Sequence, residues 1–373
     1  MRIGLISRRF DPDGGGTERD LIITARILAD AGHHVRFFAG EIRGERCEDL
    51  EVTQVKTGGI GRAMRLRSFA NNAAVSARQA RMDLVFSFGR ILDADILRSG
   101  GSAHSSYIAA ARQWQSRSAA LAMALSPYHR MQVMIERRGF ASARLKRSIA
   151  VSELVRADLV KSFALDPATV VTLYNGVDLD RFRPDASGAL REQVRRELHL
   201  SEAAALVAFV GNGFARKGLG FLIEGWREVT PAAHLVVAGS DRALPHYRRL
   251  AHRSSVADRV HFLGPQPHIE RLFAAVDAFA LPSLFEPFGN VVMEAMAAGL
   301  PALCTKACGA AEAFDPSMRE LIVSDPTDVA SLSRGVNELL RVRGDLRGIA
   351  RQTAERFTWD AYGANLLKLI ADL

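Results

Sequence analysis

The strongest constraint on the fold of this chain is a grammar that it uses twice. An apolar run around Ile3 and Leu5 gives way to turn residues from Asp11 to Gly16, and then Leu21, Ile22, Ala25, Leu28 and Ala29 recur at helical spacing. Gly32 follows as a helix stop, and Val35 to Ala39 reads as the next strand. The same order restarts at Ala205 to Val210, with a loop from Gly211 to Gly218 and a helical face at Leu219, Leu222, Ile223 and Trp226. Strand, glycine-rich loop, helix and strand form a βαβ unit, so two restarts predict two Rossmann-like α/β domains. The length of 373 residues agrees, because one hydrophobic core usually stops growing at about 250–300 residues. Arg183 to Gly188 has linker composition, which puts a first domain at 1–182 and a second at 183–356. Within the second, Leu235 to Ala238, Val260 to Leu263, Ala278 to Leu281 and Ala302 to Cys304 are apolar runs, as parallel strands buried on both faces should be. The last stretch, 357–373, carries an amphipathic helix from Trp359 that is expected to pack back on the first domain.

Composition narrows the class. With 48% hydrophobic and 24% charged residues the chain reads as an ordinary globular protein with a core large enough for an enzyme. No apolar run of about 18 residues appears, and Met1 leads straight into a strand without a basic region and apolar stretch, so neither a membrane span nor a signal peptide is expected. Cys47, Cys304 and Cys308 are too few for a disulfide framework and have no histidines at zinc-site spacing, which suggests reduced thiols in the cytoplasm. The net charge of +8 favours anionic partners: nucleic acid, an anionic membrane face or phosphorylated substrates. Zinc-finger spacing, aromatic RNA-binding motifs and basic heptad helices are all missing, so nucleic acid is the minority option.

Three stretches carry chemistry. Gly14 to Asp20 is a triple glycine opening a helix, where backbone N–H groups can approach an anion without Cβ clashes and the helix N-terminus adds positive charge. A diphosphate fits there, and a turn with Thr17 and Asp20 as a capping box fits equally well. No Gly-x-Gly-x-x-Gly follows the first strand, which removes support for NAD. Gly211 to Gly218 holds Arg216 and Lys217 at the carboxyl edge of a parallel sheet, placed to neutralise a leaving phosphate, although solvated basic turns are common. Pro282 to Met296 carries Glu286 in a loop and Glu294 in the following helix. Carboxylates grip sugar or ribose diols through paired acceptor oxygens, and Phe288, Gly289 and Asn290 present first-turn N–H groups to sugar hydroxyls. The aspartates of Asp93 to Asp95 and Asp178 to Asp180 read as structural or capping groups. The Arg216–Lys217 pair already brings the charge of a metal, and none is expected.

Glu286-x7-Glu294 with Ala298-Gly299-Leu300-Pro301, the Arg216-Lys217-Gly218 loop, Asn175-Gly176-Val177-Asp178 and the N-terminal triple glycine together resemble the family 4 retaining glycosyltransferases over nearly the whole chain. Gly15-Gly16-x-x-Arg19-Asp20, His33-His34-Val35-Arg36 and Phe214-x-Arg216-Lys217-Gly218 look most like the lipopolysaccharide core glucosyltransferases of that family. The resemblance implies the GT-B fold: two Rossmann-like domains facing a central cleft, the first for the acceptor and the second for the nucleotide sugar. It implies transfer of a hexose, glucose, from a UDP-sugar to a lipid-linked or lipopolysaccharide core acceptor, with retention, by a monomer that needs no cofactor beyond its donor. Carried over by motif, Arg216 and Lys217 bind the diphosphate, helped by Gly15 and Gly16, and Asp20 and Gly211 stand among the residues that bind the nucleotide sugar. Glu286 holds hydroxyls of the donor sugar beside Phe288, Gly289 and Asn290, and Glu294 holds the ribose. His104 matches the family's histidine near the reacting sugar, and a structural role for it stays open.

Between Tyr107 and Arg147, basic and aromatic residues including Arg112, Trp114, Arg117, His129, Arg130, Arg137 and Arg138 interleave with Leu121, Met123, Leu125, Met131, Val133 and Ile135. Such a face suits an anionic membrane surface, and equally an ordinary packed amphipathic helix. The expectation is a protein held on the cytoplasmic face of the inner membrane. Two rivals remain open: a nucleotide-sugar epimerase or sugar-phosphate synthase on the same fold, and a basic nucleic-acid-binding protein supported by charge alone.

Overall fold

The computed structural model describes the chain apart from residues 13, 45–49, 186–187, 198, 200 and 202, so Cys47 and part of the Arg183 to Gly188 stretch lie outside the described residues. The chain divides into two units, 1–175 with 359–373, and 176–358. The division falls before Arg183 to Gly188 for a local reason. Asn175 is tied into the first unit by a hydrogen bond from Arg98 at 2.6 Å, whereas Val177 N–H already donates to Phe357 O at 2.8 Å within the second.

In the first unit the strands are β1 (Arg2–Phe10), β2 (His34–Ile42), β3 (Glu51–Gln54), β4 (Leu84–Ser87), β5 (Ile96–Ser99), β6 (Arg147–Ala150) and β7 (Val170–Thr172). They form one parallel sheet in the order β3-β2-β1-β4-β5-β6-β7. The helices between them are α1 (Gly16–Asp30), α2 (Gly61–Gln79), α3 (His104–Ala110), α4 (Arg117–Leu125), α5 (Pro127–Phe140) and α6 (Glu153–Phe163). The second unit carries β8 (Ala205–Val210), β9 (Ala233–Ala238), β10 (Val260–Gly264), β11 (Ala278–Leu281), β12 (Ala302–Thr305) and β13 (Ile322–Val323), parallel in the order β10-β9-β8-β11-β12-β13. Its helices are α7 (Ala189–Glu197), α8 (Leu219–Gly225), α9 (Leu244–Arg253), α10 (Ile269–Ala275), α11 (Asn290–Ala297) and α12 (Val329–Glu355). In each sheet the chain first winds outward and then resumes on the other side of its starting strand. This puts switch points between β1 and β4 and between β8 and β11, where the following loops diverge and leave room for a ligand.

The last helix, α13 (Trp359–Ala371), returns to the first unit as expected. Its Tyr362, Leu366 and Ile370 join Leu21, Ala25 and Leu28 of α1 and Leu5, Phe37 and Phe86 of the sheet in one core. Each large apolar side chain buried there contributes roughly 1.5–3 kcal/mol.

Asp20 corrects the sequence reading. It was expected at the nucleotide sugar, but it is buried inside this unit, where its carboxylate accepts from Arg98 Nη2 at 3.0 Å. Arg98 lies over the Phe88 ring at 4.7 Å. Thr24 Oγ1 donates to Asp20 O at 2.7 Å and stands 3.0 Å from the Tyr362 hydroxyl, so the same cluster fastens α13 to α1. No capping box forms, because α1 begins at Gly16 with Gly15 as its N-cap.

Removing one partner of a buried ion pair costs about 3–5 kcal/mol, because the other charge stays behind in the core. Asp20→Ala should therefore lower the unfolding free energy by that order, read from denaturant titrations, and adding Arg98→Met should recover part of the loss.

Candidate active site

Two loops leave the second sheet at its switch point, one after β8 and one after β11. They are stitched together by Leu284 N–H donating to Arg216 O at 2.9 Å and by Arg216 Nη1 donating to Phe285 O at 2.5 Å. Their side chains then meet on one atom: Lys217 Nζ lies 2.7 Å and Arg216 Nη1 3.1 Å from Glu286 Oε2. Burial pushes the Glu286 carboxyl up, but the charges and hydrogen bonds of Lys217 and Arg216 outweigh it and hold the group below the usual carboxylate range.

Gly211 has a clear part in this geometry. Its φ is +141°, and a Cβ there would stand 2.5 Å from Lys217 Cε, so the lysine side chain passes directly over the glycine. Asn212 and Asp241 hold the loop in place, Asn212 Oδ1 accepting from Ser240 N–H at 2.8 Å and Asp241 Oδ2 from Phe214 N–H at 2.7 Å. The sequence reading gave neither residue this role. Their signal is Gly239-Ser240-Asp241 directly after β9, on the same carboxyl edge. Phe288 is buried by its ring, Gly289 is the N-cap of α11, Asn290 is its first residue, and Glu294 is half-buried one turn further on. The sequence-predicted residues of the second unit thus gather at one end of one sheet.

In the first unit, a cavity of about 300 Å³ opens at the switch point, lined by Thr17, Gly89, Arg90, Gly100, Gly101 and Glu136 among others. Gly15 caps α1 without a side-chain hydrogen bond, and a Cβ there would find nothing nearer than 3.6 Å. Local packing therefore does not demand glycine at 15. What glycine preserves is room for another group to approach the helix start at Gly16.

His104 opens α3 and is buried. Its N–H donates to Glu136 Oε2 at 2.8 Å, while Glu136 Oε1 accepts from Arg90 Nε at 2.5 Å. The ring Nε2 lies 2.8 Å from His129 Nδ1 and 3.2 Å from Gln132 Nε2, so its single lone pair accepts from one of these neighbours or its N–H donates to His129 Nδ1, as the tautomer decides. Burial, with help from Arg90 and His129, lowers the imidazole to about 4, so it is neutral near pH 7. His129, Gln132 and Glu136 occupy one face of α5 at i, i+3 and i+7. The sequence reading saw basic, aromatic and apolar residues in this segment, His129 among them, and the polar stripe that His129 forms with Gln132 and Glu136 is the signal it missed.

That segment is not uniform. Ile135 is fully buried, whereas Leu121 and Leu125 of α4 are 60% and 61% exposed. Arg130, Arg137 and Arg138 join Ile108, Val133 and Met134 around a cavity of about 540 Å³. Of the remaining aspartates, Asp95 Oδ2 accepts from Val85 N–H at 2.9 Å, Asp178 Oδ1 from Arg181 N–H at 2.9 Å and Asp93 Oδ2 from Arg78 Nη1 at 2.7 Å. Among the described residues, no helix is long and apolar enough to cross a membrane.

Residues 14–181 match the family described as Glycosyltransferase Family 4, and residues 191–357 match Glycosyl transferases group 1. The chain is 25% identical over 334 residues to the lipopolysaccharide glucosyltransferase WaaG of Escherichia coli K12, covering 88% of this chain and 85% of that protein. It is 28% identical over 399 residues to a D-inositol 3-phosphate glycosyltransferase of Salinispora tropica, covering 96% and 81%. Among solved structures, a crystal structure of WaaG superimposes with a TM-score of 0.81 at 23% identity over 99% of each chain. HepE of Anabaena, in complex with UDP and glucose, superimposes with a TM-score of 0.74 at 18% identity over 100% of each chain.

The lowered His104 pKa makes an acid-stability prediction. Below the ordinary value of 6.5 the unfolded chain takes up a proton that the folded chain refuses until about 4, so stability falls with pH across that window. The slope contributed is up to about 1.4 kcal/mol per pH unit. Urea midpoints across the window should show a shallower acid limb in His104→Gln than in the wild type.

Proposed function

The chain belongs to the family 4 glycosyltransferases of the two-domain GT-B fold, and on that premise we propose that it moves glucose from a UDP-sugar to a lipid-linked saccharide of the lipopolysaccharide core type, with retention at the anomeric carbon. The observation that carries this reading is the convergence of Lys217 and Arg216 on Glu286 at the sheet's switch point. Two cations and one anion leave a net positive charge on short loops, which suits a departing diphosphate. Glu286 then serves the donor-sugar hydroxyls, Glu294 the ribose, and the N–H groups around Phe288, Gly289 and Asn290 the remaining hydroxyls. The room kept at Gly15 and Gly16 is consistent with a diphosphate near the start of α1.

What the side chains are unable to do supports retention. Glu286 is held below its usual pKa and bonded to two cations, which makes it a poor proton acceptor. The departing phosphate therefore takes the acceptor proton on the same face, and catalysis rests on positioning and charge stabilisation. The cations fill the role of a metal, and no cofactor is needed. His104 is a neutral, buried imidazole near the switch point of the first unit.

The lipid-linked acceptor is supported by the likeness to the lipopolysaccharide glucosyltransferase and by the basic face with its exposed leucines. In this reading the protein is a monomer bound to the cytoplasmic face of the inner membrane, and Arg130, Arg137 and Arg138 face anionic headgroups.

Incubation with UDP-, GDP- and ADP-sugars, without and with detergent-solubilised truncated lipopolysaccharide core, tests the reaction. One UDP-hexose should be consumed only with the acceptor, which should gain one hexose mass. Lys217→Ala should lower kcat on the order of a hundredfold, and Glu294→Ala should weaken donor binding. A wild type that consumes no donor overturns the reading. In flotation assays the protein should associate with vesicles rich in anionic lipid and not with neutral ones, and Leu121→Ser with Leu125→Ser should weaken that association. Equal binding to both vesicle types removes the membrane part of the proposal.

A further inference from the structure

The turn that presents Glu286 is braced from behind by a second segment of chain. Glu286 N–H donates to Ala307 O at 2.9 Å, Gly309 N–H donates to Glu286 O at 3.0 Å, and Ala310 N–H donates to Phe288 O at 2.7 Å. These bonds make a short parallel bridge between Glu286 and Cys308. Cys308 is buried, and its thiol donates to the same Phe288 oxygen at 3.2 Å. The sulfur also fills the underside of Gly289. That residue has φ +97°, and a Cβ there would come 2.9 Å from Cys308 Sγ and 3.3 Å from Glu286 Cγ. Thiol, left-handed glycine and Glu286 side chain are therefore packed one against the next. A second buried thiol is Cys304 on β12. Burial first, and then the neighbouring Cys308 thiol, pushes Cys304 well above the ordinary thiol range, so it stays protonated.

A buried free cysteine is usually no more than a small apolar filler. This one is placed otherwise, because its polar hydrogen meets the carbonyl just ahead of α11 and its sulfur meets the turn that aims the carboxylate. We propose, on the reading of this loop as the donor-sugar subsite, that Cys308 is a positioning residue whose thiol sets the aim of Glu286 and the start of α11. A methyl group in its place leaves Phe288 O without the thiol donor and opens space beneath Gly289. The turn then relaxes and the carboxylate shifts against both the sugar and the two cations. Misplacements of about 1 Å at a reacting centre lower rates by up to a hundredfold.

The test compares the wild type, Cys308→Ala, Cys308→Ser, Glu286→Gln and the double variant Cys308→Ala with Glu286→Gln, measuring kcat, both KM values and the thermal midpoint. Cys308→Ala should lower kcat on the order of tenfold with the acceptor KM unchanged. Cys308→Ser, which keeps a donor for Phe288 O, should recover most of that loss. In the Glu286→Gln background the alanine substitution should add little, because both changes act through one carboxylate. An unchanged kcat, or a loss that persists in full on top of Glu286→Gln, overturns the positioning role while leaving the transferase reading intact. A lower thermal midpoint with unchanged kcat does the same. If alanine does not fold, the same double-variant comparison is made with Cys308→Val, which also removes the donor to Phe288 O but keeps more of the side-chain volume. A wild type that consumes no nucleotide sugar overturns the donor reading and this inference with it.

Discussion

One carboxylate oxygen organises the carboxyl edge of the second sheet. Lys217 and Arg216 arrive from the loop after β8, Glu286 from the loop after β11, and all three meet at Glu286 Oε2. Adjacent cations on a half-buried edge repel each other by several kcal/mol at an effective dielectric constant of about 20, and the shared anion is what makes their proximity tolerable. The surroundings follow from that requirement. A glycine must lie beneath the lysine stem, Asn212 and Asp241 must pin the loop that carries it, and the turn carrying the carboxylate needs a brace on its far side.

The first unit answers a similar problem in the opposite way. Arg98 and Asp20 are also a cation and an anion near a sheet's carboxyl edge, but their side chains are 1% and 5% exposed, against 25% and 13% for Arg216 and Glu286. A pair so completely dry is committed to architecture, here the attachment of α13 and of Asn175. A pair that keeps some access to solvent remains available to an incoming ligand. Exposure, and not residue type, is what differs between the two pairs.

That distinction also marks how far the sequence could be read. The repeated strand, loop and helix order located both sheets, and Ala278 to Leu281 stands as a strand where the apolar run placed it. The motif loops of the second unit were legible because each follows a strand directly, and the topology then delivers them to one edge. Asp20 was misplaced because a residue beside a glycine loop reads as a ligand until the facing of the helix is known. The hint was there: Asp20 and Thr24 stand at i and i+4 inside the stripe formed by Leu21, Ala25 and Leu28, a pattern that belongs to a buried polar network. Short strands such as Val170–Thr172 and Ile322–Val323 carry too few residues for a periodic signal. The contacts of His104 with α5 and of Glu286 with Cys308 join segments far apart in the chain, and no local pattern announces them.

The electrostatics of the two candidate proton acceptors point in one direction. Glu286 has its carboxyl lowered by cations that occupy the oxygen it would use, so accepting a proton would cost it those interactions. His104 is neutral near pH 7, yet its Nε2 is already engaged by His129 and Gln132 on one side of a buried ring. Both groups are lowered in pKa, which weakens each of them as a base near pH 7. If the transfer proposed here takes place, the proton of the acceptor hydroxyl has to leave with something the substrates bring, and the phosphate oxygen freed between two cations is the group whose basicity rises as the bond to the sugar breaks. In that proposal the same two cations would also stabilise the charge that the departing phosphate gains.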